Sequence, residues 1–210
     1  VSASLDALAW RLVGAWDYVK FKDEAAAERW LTWGRQHATD TDANSWANVA
    51  GALRRSGRLT IAREALAEAT QHGTTARTEY ERACLLLLLD RLPSKAEAAF
   101  HAATTLDPSD PFPWNGLGFL LAEQAECADE AETAYRKAIE IDPASAALWN
   151  NLGLLLAEQP ERTDEAEAAY RKAAEIDPAY AAPWNNLGNL LAQQPERADE
   201  AEAAYRKAIE

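Results

Sequence analysis

The sequence predicts an all-α protein built from repeated helix pairs. Two observations lead to this fold class. Tryptophan recurs every 35 residues, at Trp114, Trp149 and Trp184, and residues 146–175 are identical to residues 181–210 at 25 of 30 positions. Within each unit the apolar residues recur three or four positions apart, which is the spacing of one helix face. A period of this length with this internal spacing indicates a helical repeat array.

The array is predicted to follow a diverged N-terminal segment. Residues 1–42 contain one helix pair that fits the period only loosely, so we expect an N-terminal cap or a degenerate repeat. Its aromatic residues, together with Trp46, could form a ligand cage or a packed core. Core packing is the stronger interpretation, because each indole buries a large apolar area. The segment's own tryptophans are Trp10, Trp16, Trp30 and Trp33.

Residues 43–76 and 77–110 are predicted to be two repeats that diverge in sequence but keep the pattern, 34 residues apart. Ser94, three residues before Glu97, predicts a capping box that starts the second helix of the later repeat. Matching positions in the earlier repeat are Trp46, Val49, Ala50, Leu53, Gly57, Ala62, Leu66 and Ala69. Those in the later repeat are Tyr80, Ala83, Cys84, Leu87, Ala96, Phe100, Ala103 and Pro108.

Residues 111–145, 146–180 and 181–210 are predicted to be three near-identical repeats, the last of them incomplete. In each, a proline or alanine after a glutamine separates the two helices, and in the first two an Asp-Pro pair closes the second helix. An aspartate three residues before a glutamate predicts a capping box at the start of each second helix. These pairs are Asp129 with Glu132, Asp164 with Glu167, and Asp199 with Glu202.

This pattern resembles the tetratricopeptide repeat over roughly residues 43–210. In one repeat the resemblance lies in Trp149, Leu152, Gly153, Ala166, Tyr170, Ala173 and Pro178. It implies a right-handed superhelical solenoid of antiparallel helix pairs, with the first helix of each pair lining a concave groove. The small residues Gly153 and Ala166 would let the paired helices approach closely. The last three repeats depart from the family by one extra residue between helices, and by Ala125, Pro160 or Pro195 where glycine is frequent.

Asparagines recur on the predicted groove side of the first helices. An exposed amide offers both a donor and an acceptor, so a row of them can bind the backbone of an extended peptide. The candidate peptide-binding residues are Asn48, Asn115, Asn150, Asn151, Asn185, Asn186 and Asn189. The alternative is that asparagine is merely tolerated early in a helix and bonds to water or a neighbouring turn. Gly116 and Arg82 interrupt the series.

A second candidate site is an anion clamp formed by Arg54, Arg55 and Arg82, close to Arg58. Guanidinium groups bind carboxylates or phosphates through paired hydrogen bonds. The resemblance also implies such a clamp for a terminal carboxylate, although the lysine of the full family pattern has no match. The alternative is a solvated helix end, where arginine is favoured by the helix dipole.

Other classes of function are disfavoured. The net charge is −13, and residues 111–210 hold 19 acidic and 8 basic residues, so a nucleic-acid backbone would be repelled. This argues against the RNA-binding pentatricopeptide repeats, which share a 35-residue helical period. His37, His72 and His101 have no neighbouring nucleophile motif, and Cys84 and Cys127 suggest neither a disulfide framework nor a metal site. We expect no enzyme, no cofactor and no membrane partner, and a cytoplasmic location.

The predicted function is therefore a scaffold that binds a peptide or protein segment in its groove, as the sensor or recruitment arm of a larger protein. The alternative is a structural spacer or self-associating solenoid without a specific groove ligand. We also expect the sequence to be a piece of a longer array. Its last repeat would then leave an uncapped apolar surface, including Leu187, Tyr205 and Ile209, through which the chain could self-associate.

Overall fold

The structure, a computed structural model, describes residues 43–209. The helix pair expected at residues 1–42, with its four tryptophans, lies outside this range. The described residues fold entirely into helices and connecting turns, without a strand. This confirms the predicted all-α class of helix pairs. Internal contacts divide the chain into two compact units, which we call unit 1 (described residues 43–108) and unit 2 (residues 109–209).

Unit 1 consists of two helix pairs. Its helices are α1 (Ala43–Arg55), α2 (Leu59–His72), α3 (Ala76–Leu85), extended by a π-helical turn over Leu86–Asp90, and α4 (Pro93–Leu106). α1 packs on α2 and α3 on α4, while α3 also contacts both helices of the first pair. The core between α1, α2 and α3 contains Trp46, Val49, Leu53, Ile61, Leu66 and Leu85, all buried. Burial of these side chains stabilises the pair and its stacking.

Helix starts in unit 1 differ from the prediction. The capping box expected at Ser94 and Glu97 is wrong, because α4 already begins at Pro93, with Leu92 as its N-cap residue. Proline is favoured at the first helical position, where its missing N–H costs nothing, so Ser94 lies inside the first turn. A capping box does form one helix earlier. The Thr75 hydroxyl accepts from the Thr78 backbone N–H at 3.2 Å, and the Thr78 hydroxyl accepts from the Thr75 N–H at 2.8 Å.

Unit 2 consists of three helix pairs of nearly equal length. They are α5 (Pro111–Ala122) with α6 (Ala128–Ile141), α7 (Ala146–Ala157) with α8 (Thr163–Ile176), and α9 (Ala181–Leu191) with α10 (Ala198–Ile209). A short 3-10 turn precedes each second helix, over Ala125–Cys127, Pro160–Arg162 and Pro195–Arg197. The second helix of each pair contacts the first helix of the next, and α7 contacts both α5 and α9. The first helices of unit 2 therefore form one continuous layer.

Close contact within each pair of unit 2 depends on a glycine. A Cβ placed on Gly153 would lie 2.7 Å from the ring of Tyr170, and one on Gly118 would lie 2.8 Å from the ring of Tyr135. Such distances are far inside van der Waals contact, so only glycine lets the tyrosine ring lie flat against the first helix. This is the close approach expected at Gly153, and it identifies Tyr170 as the residue that fills the space.

The capping boxes predicted for the second helices of unit 2 are also wrong. α8 begins at Thr163 with Arg162 as N-cap, so Asp164 lies in the first turn, and no side chain caps the helix. The preceding 3-10 turn runs directly into the helix, because the Arg162 N–H donates to the Gln159 carbonyl at 2.9 Å. The backbone turn therefore organises the helix start. Asp164 can contribute only through its charge near the positive end of the helix dipole.

The glutamates of those predicted boxes instead join neighbouring repeats. Glu132 on α6 accepts hydrogen bonds from both Nη atoms of Arg162, the one from Nη2 being 3.0 Å long. Glu167 on α8 accepts from Arg197 in the same way, at 2.6 and 2.9 Å. These bonds hold the pKa of both glutamates below the ordinary value. Each ion pair links the second helix of one pair to the turn of the next.

Residues 43–209 contain neither a membrane-spanning helix nor a metal-binding group of side chains. None of the helices there is long and apolar enough to cross a membrane. Among the same residues, no group of His, Cys, Asp and Glu side chains is arranged to hold a metal ion.

Candidate functional site

The predicted binding residues of unit 2 lie on the layer formed by α5, α7 and α9. Asn115, Asn150 and Asn185 occupy the same position on the three helices, 35 residues apart. One helical turn later, the equivalent position holds Phe119 on α5, Leu154 on α7 and Asn189 on α9. Residues four apart share one side of a helix. We refer to the side that carries these six positions, together with Asn151 and Asn186, as the first-helix face of unit 2.

The asparagines of this face are bonded to each other across repeats. The Asn151 Nδ2 donates to Asn115 Oδ1 at 2.9 Å, and the Asn186 Nδ2 donates to Asn150 Oδ1 at 2.9 Å. Each bond fixes the orientation of two amides and connects neighbouring first helices. An amide with one internal bond still has donor and acceptor capacity left. We call these bonded residues, Asn115, Asn150, Asn151 and Asn186, the asparagine ladder. It connects neighbouring first helices and also forms a row of oriented amide groups.

The individual asparagines differ in exposure. Asn150 is only 4% exposed and accordingly acts as a support that positions Asn186, which corrects its predicted direct contact with a ligand. Asn115, Asn151 and Asn186 are half-buried, whereas Asn185 and Asn189 are exposed. The Tyr205 hydroxyl donates to Asn189 Oδ1 at 2.8 Å, which leaves the Asn189 Nδ2 facing outward. Asn48 is exposed on α1, in unit 1, and so belongs to a different compact unit.

An apolar strip that was not predicted from the sequence lies beside the asparagines. Phe119 is 51% exposed and Leu154 is 46% exposed. Large apolar side chains are usually buried, and two of them at equivalent positions of adjacent helices form a contiguous apolar surface. The signal was available in the sequence, because positions 119, 154 and 189 keep the 35-residue period and lie one turn after the asparagines.

Carboxylates and tyrosines border this strip. Glu123 and Glu158 are exposed and occupy the C-cap positions of α5 and α7. Burial first, and then the negative charges of both glutamates, raises the pKa of Tyr135 to about 12. Burial and Glu158 likewise raise the pKa of Tyr170 to about 12. Both glutamates are therefore within electrostatic reach of the tyrosine that packs under α5.

The predicted anion clamp of unit 1 is not available to an external anion. Arg54 Nε donates to Glu81 Oε2 at 2.8 Å, and Arg77 Nη2 lies 3.0 Å from Glu81 Oε1, with the Glu81 side chain completely buried. Arg82 is bonded to the carboxylate of Glu79, which lies one turn earlier on the same helix. Arg55 is exposed. The prediction that Arg54 binds a ligand was wrong, because Glu81 on α3 already supplies its carboxylate.

Comparison with known sequences identifies the repeats. Residues 128–159 and 161–194 match a family model described as TPR repeat, and residues 181–210 match one described as tetratricopeptide repeat. No curated protein matches the chain at a significant level.

Solved structures support the same fold. PilF of Pseudomonas aeruginosa superposes with a TM-score of 0.69 at 18% identity, over 79% of this chain and 76% of that one. YrrB, a TPR protein described as having an unusual peptide-binding site, gives 0.60 at 22% identity, over 87% and 92%. The thermophilic TPR protein TTC0263 of Thermus thermophilus gives 0.64 at 22% identity, over 80% and 90%. At these identities the likeness concerns the fold alone.

The matched repeats, the glycine–tyrosine contacts and the stacked helix pairs agree with one another. Residues 128–159 and 161–210 match tetratricopeptide repeats, and the described helix pairs have the fold of that family, whose members are scaffolds for protein–protein interaction.

Proposed function

We propose that the first-helix face of unit 2 binds an extended segment of a partner protein, and that the chain serves as the recruitment arm of a larger protein. The observation that carries this proposal is the asparagine ladder beside exposed apolar side chains. Asn151 and Asn186 are held in fixed orientations by 2.9 Å bonds, next to the half-exposed Phe119 and Leu154. Amides fixed in advance bind a peptide backbone with little further loss of conformational entropy.

Two features of the face suit an extended peptide. Backbone N–H and C=O groups recur along such a peptide, and the half-buried and exposed asparagines recur along the layer of α5, α7 and α9. The apolar strip offers contact area for alternate side chains, which would supply affinity through burial. A pure spacer does not require oriented amides and exposed large apolar side chains at equivalent positions on one side.

A display library of random decapeptides, selected against the whole chain, tests the proposal. Selected peptides should lose affinity for the double variant Asn151→Ala, Asn186→Ala, because each lost hydrogen bond contributes about 0.5–1.5 kcal/mol. The loss should be similar for many peptides, since backbone contacts do not depend on peptide sequence. Affinities are measured by fluorescence anisotropy, and circular dichroism verifies that the variant remains helical.

The matched control is Asn44→Ala with Gln71→Ala. Both side chains are exposed amides of unit 1, on α1 and α2, so the control removes the same chemical groups from another place. It should bind the selected peptides as the unchanged chain does. If the library yields no enriched peptide, the spacer interpretation is correct and the proposal fails.

A further inference from the structure

Unpaired carboxylates border the apolar strip of unit 2. The carboxylates of Glu123 and Glu158 form no ion pair or hydrogen bond with any described residue, in contrast to Glu132 and Glu167 on the second helices. Both also lie at the carboxyl ends of helices, where a negative charge is disfavoured by the helix dipole. Two acidic groups at equivalent, locally unfavourable positions gain most from a positive charge supplied by a partner.

Two buried tyrosines point to the same ligand position. Tyr135 and Tyr170 are only 3% and 2% exposed, and their hydroxyl groups have no hydrogen-bond partner among residues 43–209. A tyrosine hydroxyl without a protein partner has a donor and an acceptor available to water or to a ligand. In the last repeat the equivalent hydroxyl, on Tyr205, does have a partner, Asn189. Phe119 and Leu154 stand where that asparagine would be and offer no acceptor.

The three rings show where these hydroxyls lie. A Cβ on Gly118, Gly153 or Gly188 would meet the same edge of its tyrosine, at 2.6–2.8 Å in all three pairs. The rings therefore take one common position, and the hydroxyls of Tyr135 and Tyr170 come next to Phe119 and Leu154 as the Tyr205 hydroxyl comes next to Asn189. One surface on α5 and α7 therefore contains the apolar strip, the unpaired tyrosine hydroxyls and the unpaired carboxylates.

We propose that this surface selects peptide segments in which a lysine or arginine directly neighbours a large apolar residue. The inference rests on the proposed function and names the chemistry of the partner. The apolar side chain would lie on Phe119 and Leu154. The neighbouring cation would pair with Glu123 and Glu158, and the peptide's carbonyl groups can accept from the tyrosine hydroxyls. The third repeat has Asn189 and Gln193 at these positions, so the selectivity belongs to α5 and α7.

The test uses the same decapeptide library. Peptides enriched on the unchanged chain should contain Lys or Arg beside Leu, Ile, Phe or Trp. For a selected peptide, Glu123→Gln with Glu158→Gln should weaken binding at least about tenfold, because a charge-assisted pair is lost, and about 0.3 M salt should reproduce much of that loss. Phe119→Asn with Leu154→Asn, which copies the third repeat, should weaken binding by a similar factor and leave the helix content unchanged.

The control for net charge is Asp129→Asn with Asp164→Asn. These exposed aspartates lie at equivalent positions on α6 and α8 and have no ion-pair partner among the described residues, so the change in charge is the same. This control should retain the affinity of the unchanged chain. An equal loss in the control would overturn the inference, because general attraction to an acidic protein would explain the binding. Enrichment of peptides without basic residues would also overturn it, while the proposed peptide-binding function would stand. Absence of any enrichment would instead remove the proposed function itself.

Discussion

The two units of the chain use the same repeat position in different ways. Glu81 on α3 lies 34 residues before Asn115 on α5, so both occupy the ladder position of their repeat. In unit 1 this position holds a fully buried carboxylate, which accepts a hydrogen bond from Arg54 and forms an ion pair with Arg77. In unit 2 it holds the neutral amides of Asn115 and Asn150, which accept hydrogen bonds from Asn151 and Asn186 of the next repeat. One repeat position therefore supports either an internal ion pair or an accessible amide row.

In unit 1 the ladder position contributes to the stability of the fold, whereas in unit 2 it belongs to the proposed binding face. The arginines around Glu81 also lie over the Tyr80 ring, with guanidinium carbons 5.8 and 5.4 Å from its centroid. A Cβ on Gly51 would lie only 2.5 Å from Glu81 Oε1, so the cluster fills the space between α1 and α3. The Glu81 carboxylate is completely buried, so a ligand cannot reach it. In unit 2 the ladder position is filled by neutral amides. Because burying an amide costs less free energy than burying a charge, these groups need no counter-charge and can remain partly exposed.

The largest expected effect is at Glu81. Glu81→Gln leaves Arg54 and Arg77 without their counter-charge at a largely buried site, and we expect a loss of about 3 kcal/mol in unfolding free energy. Asn150→Ala, the matching change in unit 2, removes one neutral hydrogen bond and should cost about 1 kcal/mol. Urea unfolding measures both losses, and hydrogen exchange assigns each loss to its unit. Equal losses would show that the ion cluster and the amide ladder are energetically equivalent.

The next effect concerns the glycines. Gly153→Ala places a methyl group 2.7 Å from a ring that is almost completely buried, so we expect a loss of about 2 kcal/mol through overpacking. Gly188→Ala is the matched control. Its tyrosine, Tyr205, is only half-buried and can move outward, so the loss should be clearly smaller. Thermal unfolding followed by circular dichroism compares the two, and a larger loss for Gly188→Ala would contradict the packing argument.

A smaller effect depends on pH. Hydrogen bonds from Arg162 and Arg197 lower the folded-state pKa of Glu132 and Glu167 below 4.5. A carboxyl group with a lowered folded-state pKa binds fewer protons in the folded than in the unfolded protein. Its stabilisation is therefore fully present above the ordinary pKa of 4.5 and is lost as the pH falls through the folded-state pKa. We expect each pair to make only a small contribution to stability, since its atoms remain partly solvated.

Substitution distinguishes this pH effect from general acid unfolding. Glu132→Gln with Glu167→Gln should lower stability at neutral pH and reduce the further loss below pH 4.5. Glu126→Gln with Glu161→Gln is the control, because both side chains are exposed and have no ion-pair partner among the described residues. The control should keep the full acid dependence. Identical pH profiles for the two double variants would show that the inter-repeat pairs carry no such stabilisation.

The sequence predicted the helix pairs well, because the 35-residue period and the apolar spacing are local signals. The small-residue resemblance also predicted the close approach at Gly153. The side-chain pairs between repeats were not predicted. Asn151 with Asn115 and Arg162 with Glu132 lie 36 and 30 residues apart, and only the packing of successive helices brings them together. The same limit explains the anion clamp, since the sequence shows Arg54 but not that Glu81 meets it.

Helix starts give the smallest expected effect and a last contrast between the units. In unit 1, α3 begins with a side-chain capping box at Thr75, whereas α8 in unit 2 begins from a backbone 3-10 turn without a side-chain cap. Thr75→Ala removes an N-cap hydrogen bond and should cost about 1 kcal/mol. Asp164→Asn removes only a charge near the helix dipole, so the loss should be about 0.3 kcal/mol. Urea unfolding of the two single variants measures the difference. Asparagine retains the ability to cap a helix, so if Asp164→Asn costs as much as Thr75→Ala, the charge of Asp164 and not the backbone turn at Pro160–Arg162 stabilises the start of α8.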